Sequence, residues 1–268
     1  KPFWLKPSRE CFGRWGEDVS RSPGGEAMKF HVHLSPFVKM PVAWGLAAAY
    51  LALALLGRRV MANHQPLELT WLKLVYNVAQ VVVCAIVFWR LLPFALNAPH
   101  GFGIGLEPQA DVEWWVFVYY CCKVLDFGDT LFMVLGKKTR QFTFLHIWHH
   151  ASIVPLFGFY LSEGLGAGYI STLPLLNSLV HVIMYSHYLV TTLVTFERMW
   201  WKPLITATQM GHHVALCIAM ALNWVYGNPE LSLPVLFWGL LWGLSILGLF
   251  GNFYWQQYMT AARKRTAK

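Results

Sequence analysis

The chain predicts an all-α polytopic membrane protein with seven transmembrane helices, on three observations. Of its 268 residues, 56% are hydrophobic and only 13% are charged, about half the charge of a soluble domain. Its mean hydropathy is positive and it holds fourteen tryptophans. Apolar runs of the ~20 residues that one bilayer crossing needs recur at 38–56, 72–92, 114–135, 142–161, 171–193, 203–225 and 234–256.

The ends of these runs carry the marks of an interface. Trp71 and Trp89 bracket the second run, Trp114 and Trp115 open the third, and Trp200, Trp201 and Trp255 border later ones, as aromatic belts require. The connections after the first, third and fifth runs hold Arg58 and Arg59; Lys137, Lys138 and Arg140; and Arg198 and Lys202. The C-terminal tail adds Arg263, Lys264, Arg265 and Lys268. Connections after the second, fourth and sixth runs have no Lys or Arg but contain Glu107, Asp111, Glu163 and Glu230. This alternation predicts a cytoplasmic C-terminus and, with seven crossings, a lumenal N-terminus.

Three segments are expected: residues 1–36 as a disordered or appended leader with Met28 as a start site, 37–258 as one seven-helix domain, and 259–268 as a basic cytoplasmic tail. No cleavable signal peptide is legible, because the first apolar run is long enough to remain. The net charge of +8 does not suggest nucleic acid, since the basic residues punctuate apolar runs instead of forming a face. Cys11, Cys84, Cys121, Cys122 and Cys217 show neither CxxC nor zinc spacing. No N-x-S/T acceptor occurs.

Polar residues inside the runs carry the chemistry. The third holds Lys123, Asp126, Asp129 and Thr130. Lys123 and Asp126 are one helical turn apart and can pair; each charge at a helix centre costs about 2.5–3.5 kcal/mol. An ion pair that joins helices would explain them as well as a catalytic role. The fourth places His146, His149 and His150 at i, i+3 and i+4 on one face, and intramembrane ionisable groups are functional candidates by default. The fifth lays Asn177, His181 and Tyr188 on one stripe, with Tyr185 beside it and His187 turned elsewhere. The sixth repeats the triplet spacing at Gln209, His212 and His213, close enough to the cytoplasmic end to meet water or headgroups.

Two chemistries suit such a cluster. Imidazole ligates iron, and membrane di-iron oxygenases use HxxHH boxes, but they use several, with HxxxH among them. Only one HxxHH occurs here. The second chemistry is acyl transfer, in which a neutral imidazole out of water is the nucleophile and a second histidine the base. No cysteine lies in the box, which argues against a thiolate. A seven-span receptor or transporter is a third class, disfavoured by the concentration of catalytic-type residues in the third to sixth runs.

Lys123-x-x-Asp126-x-x-Asp129-Thr130, His146-x-x-His149-His150, Asn177-x-x-x-His181-x-x-Met184-Tyr185-x-His187-Tyr188 and Thr206-x-x-Gln209-x-x-His212 resemble, in order, four sequence boxes of the ELO fatty-acid elongases. Three positions depart from that pattern: Asp126 stands for Glu, His187 for Tyr and His212 for Gln.

The resemblance implies a 3-ketoacyl-CoA synthase of the endoplasmic reticulum, its helices bundled around a closed acyl tunnel. It would condense malonyl-CoA with a long-chain acyl-CoA, releasing CO2 and CoA, with no bound cofactor and no metal. His149 is then the expected acyl acceptor and His150 or His146 its orienting base. His181 handles the malonyl group. Asn177, Gln209 or Tyr188 would donate to an oxyanion. Lys123, Asp126 and Asp129 would hold helices or position the thioester, and Tyr185 and His212 complete the substrate-binding set. Membrane lipid, the other enzymes of the elongation cycle and a second copy in a homodimer are the implied partners; nucleic acid is not.

Overall fold

The structure is a computed structural model that describes residue 32 and residues 35–197, 199–228 and 231–260. The leader, apart from Val32, Ser35 and Pro36, lies outside the described residues, as do Arg198, Glu230 and the basic residues of the tail. The described residues form helices and no strand: α1 Met40–Met61, α2 Thr70–Asn97, α3 Ala110–Leu125, α4 Phe127–Leu135, α5 Phe144–Ser162, α6 Thr172–Leu193, α7 Lys202–Val225 and α8 Leu233–Tyr254.

Local chemistry sets the helix starts. Pro41, Pro203 and Pro234 lie in the first turns of α1, α7 and α8, where a missing N–H forfeits no intrahelical bond. Thr143 caps α5, its hydroxyl accepting the His146 amide N–H at 3.2 Å, so the residue that starts the helix also fixes the first turn of the histidine box.

Five helical stretches are long and apolar enough to cross a membrane: α1, α2, α7, Tyr169–Leu193 with α6, and Leu233–Met259 with α8. The expected third and fourth runs differ. The third is divided at Asp126 into α3 and α4, though the Asp126 N–H still reaches the Cys122 carbonyl at 2.8 Å. The fourth becomes α5, 19 residues long with three imidazoles in its first two turns. In both, the polar groups that interrupt the apolar run are those gathered in the interior.

α2 shows how the molecule meets its surroundings. Trp71, Val75, Val78, Val82, Ile86 and Trp89 are exposed, whereas Asn77 and Gln80 are buried beside Cys84, Val87 and Leu91. The outward stripe is thus more apolar than the inward one, the reverse of a soluble helix and the arrangement lipid demands.

Contacts between connections pair the ends of the helices. At one end the Lys137 ammonium donates to the Ala62 carbonyl at 3.0 Å and the Leu67 N–H to the Leu135 carbonyl at 2.9 Å. At the other the Gln109 N–H reaches the Ala167 carbonyl at 2.9 Å, and the Gly105 N–H the Asn223 side-chain oxygen at 3.0 Å. Between them α2 packs on α6 and α1 on α5. Gly158 permits the second contact: a Cβ there would lie 2.7 Å from Ala43 Cβ. The apolar core, with Leu91, Val116, Tyr119, Phe157 and Ile170, fills the half toward Gln109 and Ala167. The polar side chains collect in the half toward Lys137, where α3 runs into α4 and α5 begins.

Candidate active site

Lys123 organises the first of two linked clusters. It is 1% exposed, and its ammonium lies 2.7 Å from Asp126 Oδ2 and donates to Asn177 Oδ1 at 3.1 Å. It also sits 3.4 and 3.3 Å from the two ring nitrogens of His181 and 4.8 Å from the centre of the Tyr119 ring. A buried lysine needs this many partners, because a desolvated cation is tolerated only when paired and hydrogen-bonded. Asn177 continues the chain, accepting from the Tyr119 hydroxyl at 3.0 Å while its Nδ2 donates to His212 Nε2 at 3.3 Å.

The carboxylates are held from the opposite side. Asp126 Oδ1 accepts from Gln80 Nε2 at 2.8 Å and from the Tyr185 hydroxyl at 3.1 Å; the same hydroxyl lies 2.7 Å from Asp129 Oδ2. Gln80 also donates to the Tyr76 hydroxyl at 3.0 Å. Thus α2, α3, α4 and α6 meet at Asp126, which explains why the helix is interrupted there.

One turn further, Thr130 begins the second cluster. Its hydroxyl donates to the Tyr50 hydroxyl at 3.1 Å and lies 2.6 Å from His146 Nε2. With the Thr130 proton committed to Tyr50, His146 Nε2–H is the donor in that contact, a tautomer assigned by the network. The His146 and His150 ring centres are 4.4 Å apart; His149 stands perpendicular to His150 at 5.1 Å. His150 Nδ1 is buried without a hydrogen-bond partner among the described residues. His149 is only partly buried and faces the indole of Trp242 at 6.1 Å.

Trp242 leads away from the box. Two adjoining cavities of about 40 and 30 Å³ lie among α5, α6, α7 and α8. Trp242, Leu173, Leu216, Met220 and Gly239 line both; Tyr160 and Asn223 line the larger, and His213 and Cys217 the smaller. The Trp242 N–H donates to Ser152 Oγ at 2.8 Å, which fixes the indole between His149 and the cavities.

The structure brings together Lys123, Asp126, Asp129, Asn177, His181, Tyr185 and His212, and groups His146, His149 and His150 beside Thr130. Among the described residues, two expected ones donate no hydrogen bond to either cluster. The Gln209 amide is spent on Met184 Sδ at 3.4 Å, and Tyr188 is 38% exposed, packing edge-on against Tyr185. His187 faces away, as its register predicts, and its Nδ1 accepts the Trp201 N–H at 3.1 Å. Sequence reasoning missed Tyr50, Tyr76, Gln80, Tyr119 and Trp242. Gln80 had a signal, an amide within an apolar run; the tyrosines and Trp242 had none, since aromatic residues fill every span. Among the described residues no three His, Cys, Asp or Glu side chains converge in a geometry that would hold a metal ion.

Helices with an apolar exterior around an imidazole, carboxylate and amide interior define a multi-pass membrane protein with a buried polar site. Residues 36–266 match the model of the GNS1/SUR4 family, ELO, and the chain belongs to that family. It is 33% identical over 225 residues to fatty acid elongase 5 of Trypanosoma cruzi (strain CL Brener), covering 84% of this chain and 87% of that protein. Fatty acid elongase 4 of Trypanosoma brucei brucei (strain 927/4 GUTat10.1) is 34% identical over 237 residues, 88% of this chain and 92% of that protein. Very long chain fatty acid elongase 5 of Rattus norvegicus is 30% identical over 224 residues, 79% of this chain and 72% of that protein.

Proposed function

We propose that this chain, an enzyme of fatty acid elongation, is a 3-ketoacyl-CoA synthase that carries the growing acyl group on His149. The His149 nitrogen attacks the acyl-CoA thioester carbon, the C–S bond breaks, and CoA leaves as thiolate to take up a proton. The C–C bond of malonyl-CoA then breaks with loss of CO2, leaving an enolate that attacks the acyl-imidazole carbon. The C–N bond breaks, the departing ring nitrogen takes up a proton from solvent to restore the histidine, and a 3-ketoacyl-CoA two carbons longer departs. A neutral imidazole is both a competent nucleophile and a good leaving group, so the cycle needs neither metal nor cofactor.

The observation that carries this reading is the placement of His149. It is the box imidazole that stands against Trp242, where two largely apolar cavities begin. The acyl tail would follow the line of those cavities, which at about 40 and 30 Å³ hold only its first few atoms. The surrounding helices must therefore part, and the unbranched, flexible Met220 at their junction must yield, as the chain enters. Lys123 and His181 would receive the malonyl carboxylate and enolate, while Gln80, Tyr185 and Asp126 keep Lys123 in place. The separation of donors into two clusters supports this chemistry over a di-iron oxygenase, which needs its ligands converged.

The same reading takes residues 37–258 as one seven-span domain closed around the acyl tunnel, with α3–α4 and α5 as the third and fourth spans. Its polar half would face the cytoplasm, where Arg58, Lys137, Lys138 and Arg140 could meet CoA phosphates. The endoplasmic reticulum, the enzymes that reduce and dehydrate the product, and a homodimer belong to the proposal. The test is purified protein with labelled malonyl-CoA and a panel of acyl-CoAs, without O2 or added metal. Labelled 3-ketoacyl-CoA is the expected product; turnover that requires iron and O2 would overturn the reading.

A further inference from the structure

His213 has no role in the scheme above. α7 carries it one residue past the Thr206, Gln209, His212 box, and it is 3% exposed. No hydrogen bond reaches either ring nitrogen among the described residues, and Nδ1 is fully shielded. Its neighbours are rings: His212 at 4.0 Å, Phe250 at 5.8 Å and Trp242 at 6.0 Å. It is also the imidazole in the wall of the smaller cavity, among Leu173, Leu216, Met220 and Gly243.

A buried imidazole without a partner calls for an explanation, because such groups are satisfied in nearly all native interiors. The partner that fits must carry an oxygen or nitrogen into a largely apolar cavity. A hydrocarbon tail carries none, and the polar atom nearest to it on an acyl thioester is the carbonyl oxygen. The position of His213 agrees, since the Trp242 indole has His149 at 6.1 Å and His213 at 6.0 Å. Both imidazoles therefore flank the residue through which the box meets the cavity.

We propose that His213 donates an N–H hydrogen bond to the carbonyl oxygen of the acyl group while His149 attacks its carbon. The inference rests on the reading that the acyl chain enters these cavities. His213 makes and breaks no covalent bond and keeps its proton. It binds the oxygen that becomes negative in the tetrahedral state and so accelerates acylation. The same contact fixes how far the acyl head descends into the cavity, which makes His213 a register residue for the substrate as well.

The test uses the full chain in detergent and the variants His213→Phe and His213→Gln. Acyl-enzyme formation from acyl-CoA alone is timed by intact mass, with malonyl-CoA binding and thermal unfolding measured alongside. His213→Phe should slow acylation about 100-fold and leave malonyl-CoA binding unchanged; His213→Gln, which retains an N–H, should recover part of the rate. Infrared spectra of carbonyl-13C-labelled acyl-CoA bound to His149→Ala give a second measure. Its carbonyl band should lie below that of the free thioester and rise when His213→Phe is added.

Acylation of His213→Phe at the wild-type rate, or a band that ignores His213, overturns the inference. Should the phenylalanine prevent folding, His213→Leu in the same two assays decides it. Failure of the broader reading is separate, because wild-type protein would then yield no 3-ketoacyl-CoA at all.

Discussion

Lys123 and Asp126 form a buried ion pair, 1% and 0% exposed at the side chain; Asn177 and His181 also surround the ammonium, and Gln80 and Tyr185 donate to Asp126 Oδ1. Asp126→Asn keeps the shape and removes the countercharge. It should cost about 3–5 kcal/mol of stability, the range for leaving a buried charge uncompensated, read as a lowered unfolding midpoint in detergent. Gln80→Leu leaves the ion pair and removes the amide that donates to Asp126 Oδ1 and to the Tyr76 hydroxyl; the bond to the charged group alone is worth about 1.5–3 kcal/mol. In the box itself, His149→Ala should form no acylated enzyme from acyl-CoA alone; a fully acylated variant by intact mass would refute its role as the acyl carrier. The HxxHH spacing made the box legible in sequence because one helix supplies all three residues. Gln80 stood out only as an amide in an apolar run; that it meets Asp126 was not legible, because the two lie 46 residues apart on different helices.

At the scale of elements, the close approach of α1 to α5 and the start of α5 govern where the box sits. Gly158→Ala would place a methyl 2.7 Å from Ala43 Cβ, closer than carbon atoms pack. Relief must come from moving α1 against α5, at about 1–3 kcal/mol for overpacking and with a disturbed Tyr50 to Thr130 to His146 chain. A variant as stable and active as wild type would show that the contact is loose. Thr143→Ala removes the α5 cap and should cost about 1 kcal/mol. The apolar runs predicted where helices lie, and five of them are long, apolar helices. The division at Asp126 was not predicted, since composition reports that a charge is present and says nothing of what four helices do to accommodate it.

At the scale of the whole molecule, and among the described residues, the connections that hold Arg58, Arg59, Lys137, Lys138 and Arg140 lie at the polar half, and those that hold Glu107, Asp111 and Glu163 at the other. N-x-S/T acceptors built into the connection near Gly164 should be glycosylated in microsomes, whereas acceptors near Arg140 should not. The reverse pattern would invert the proposed orientation and place the site at the lumenal side. Membrane character, helix positions, the histidine box and the family resemblance were set by composition and by spacings within single helices. Those features are local, and the 3.6-residue repeat displays them directly. Packing alone decided that Asp126 anchors Gln80, Tyr185 and Lys123, that Gln209 turns to Met184 and Tyr188 meets the cluster through the Tyr185 ring, and that Trp242 lies between His149 and the cavities. Apart from the one-turn pairs Lys123–Asp126 and Tyr185–Tyr188, each is a contact between residues far apart in the chain, fixed only once the helices have chosen their neighbours.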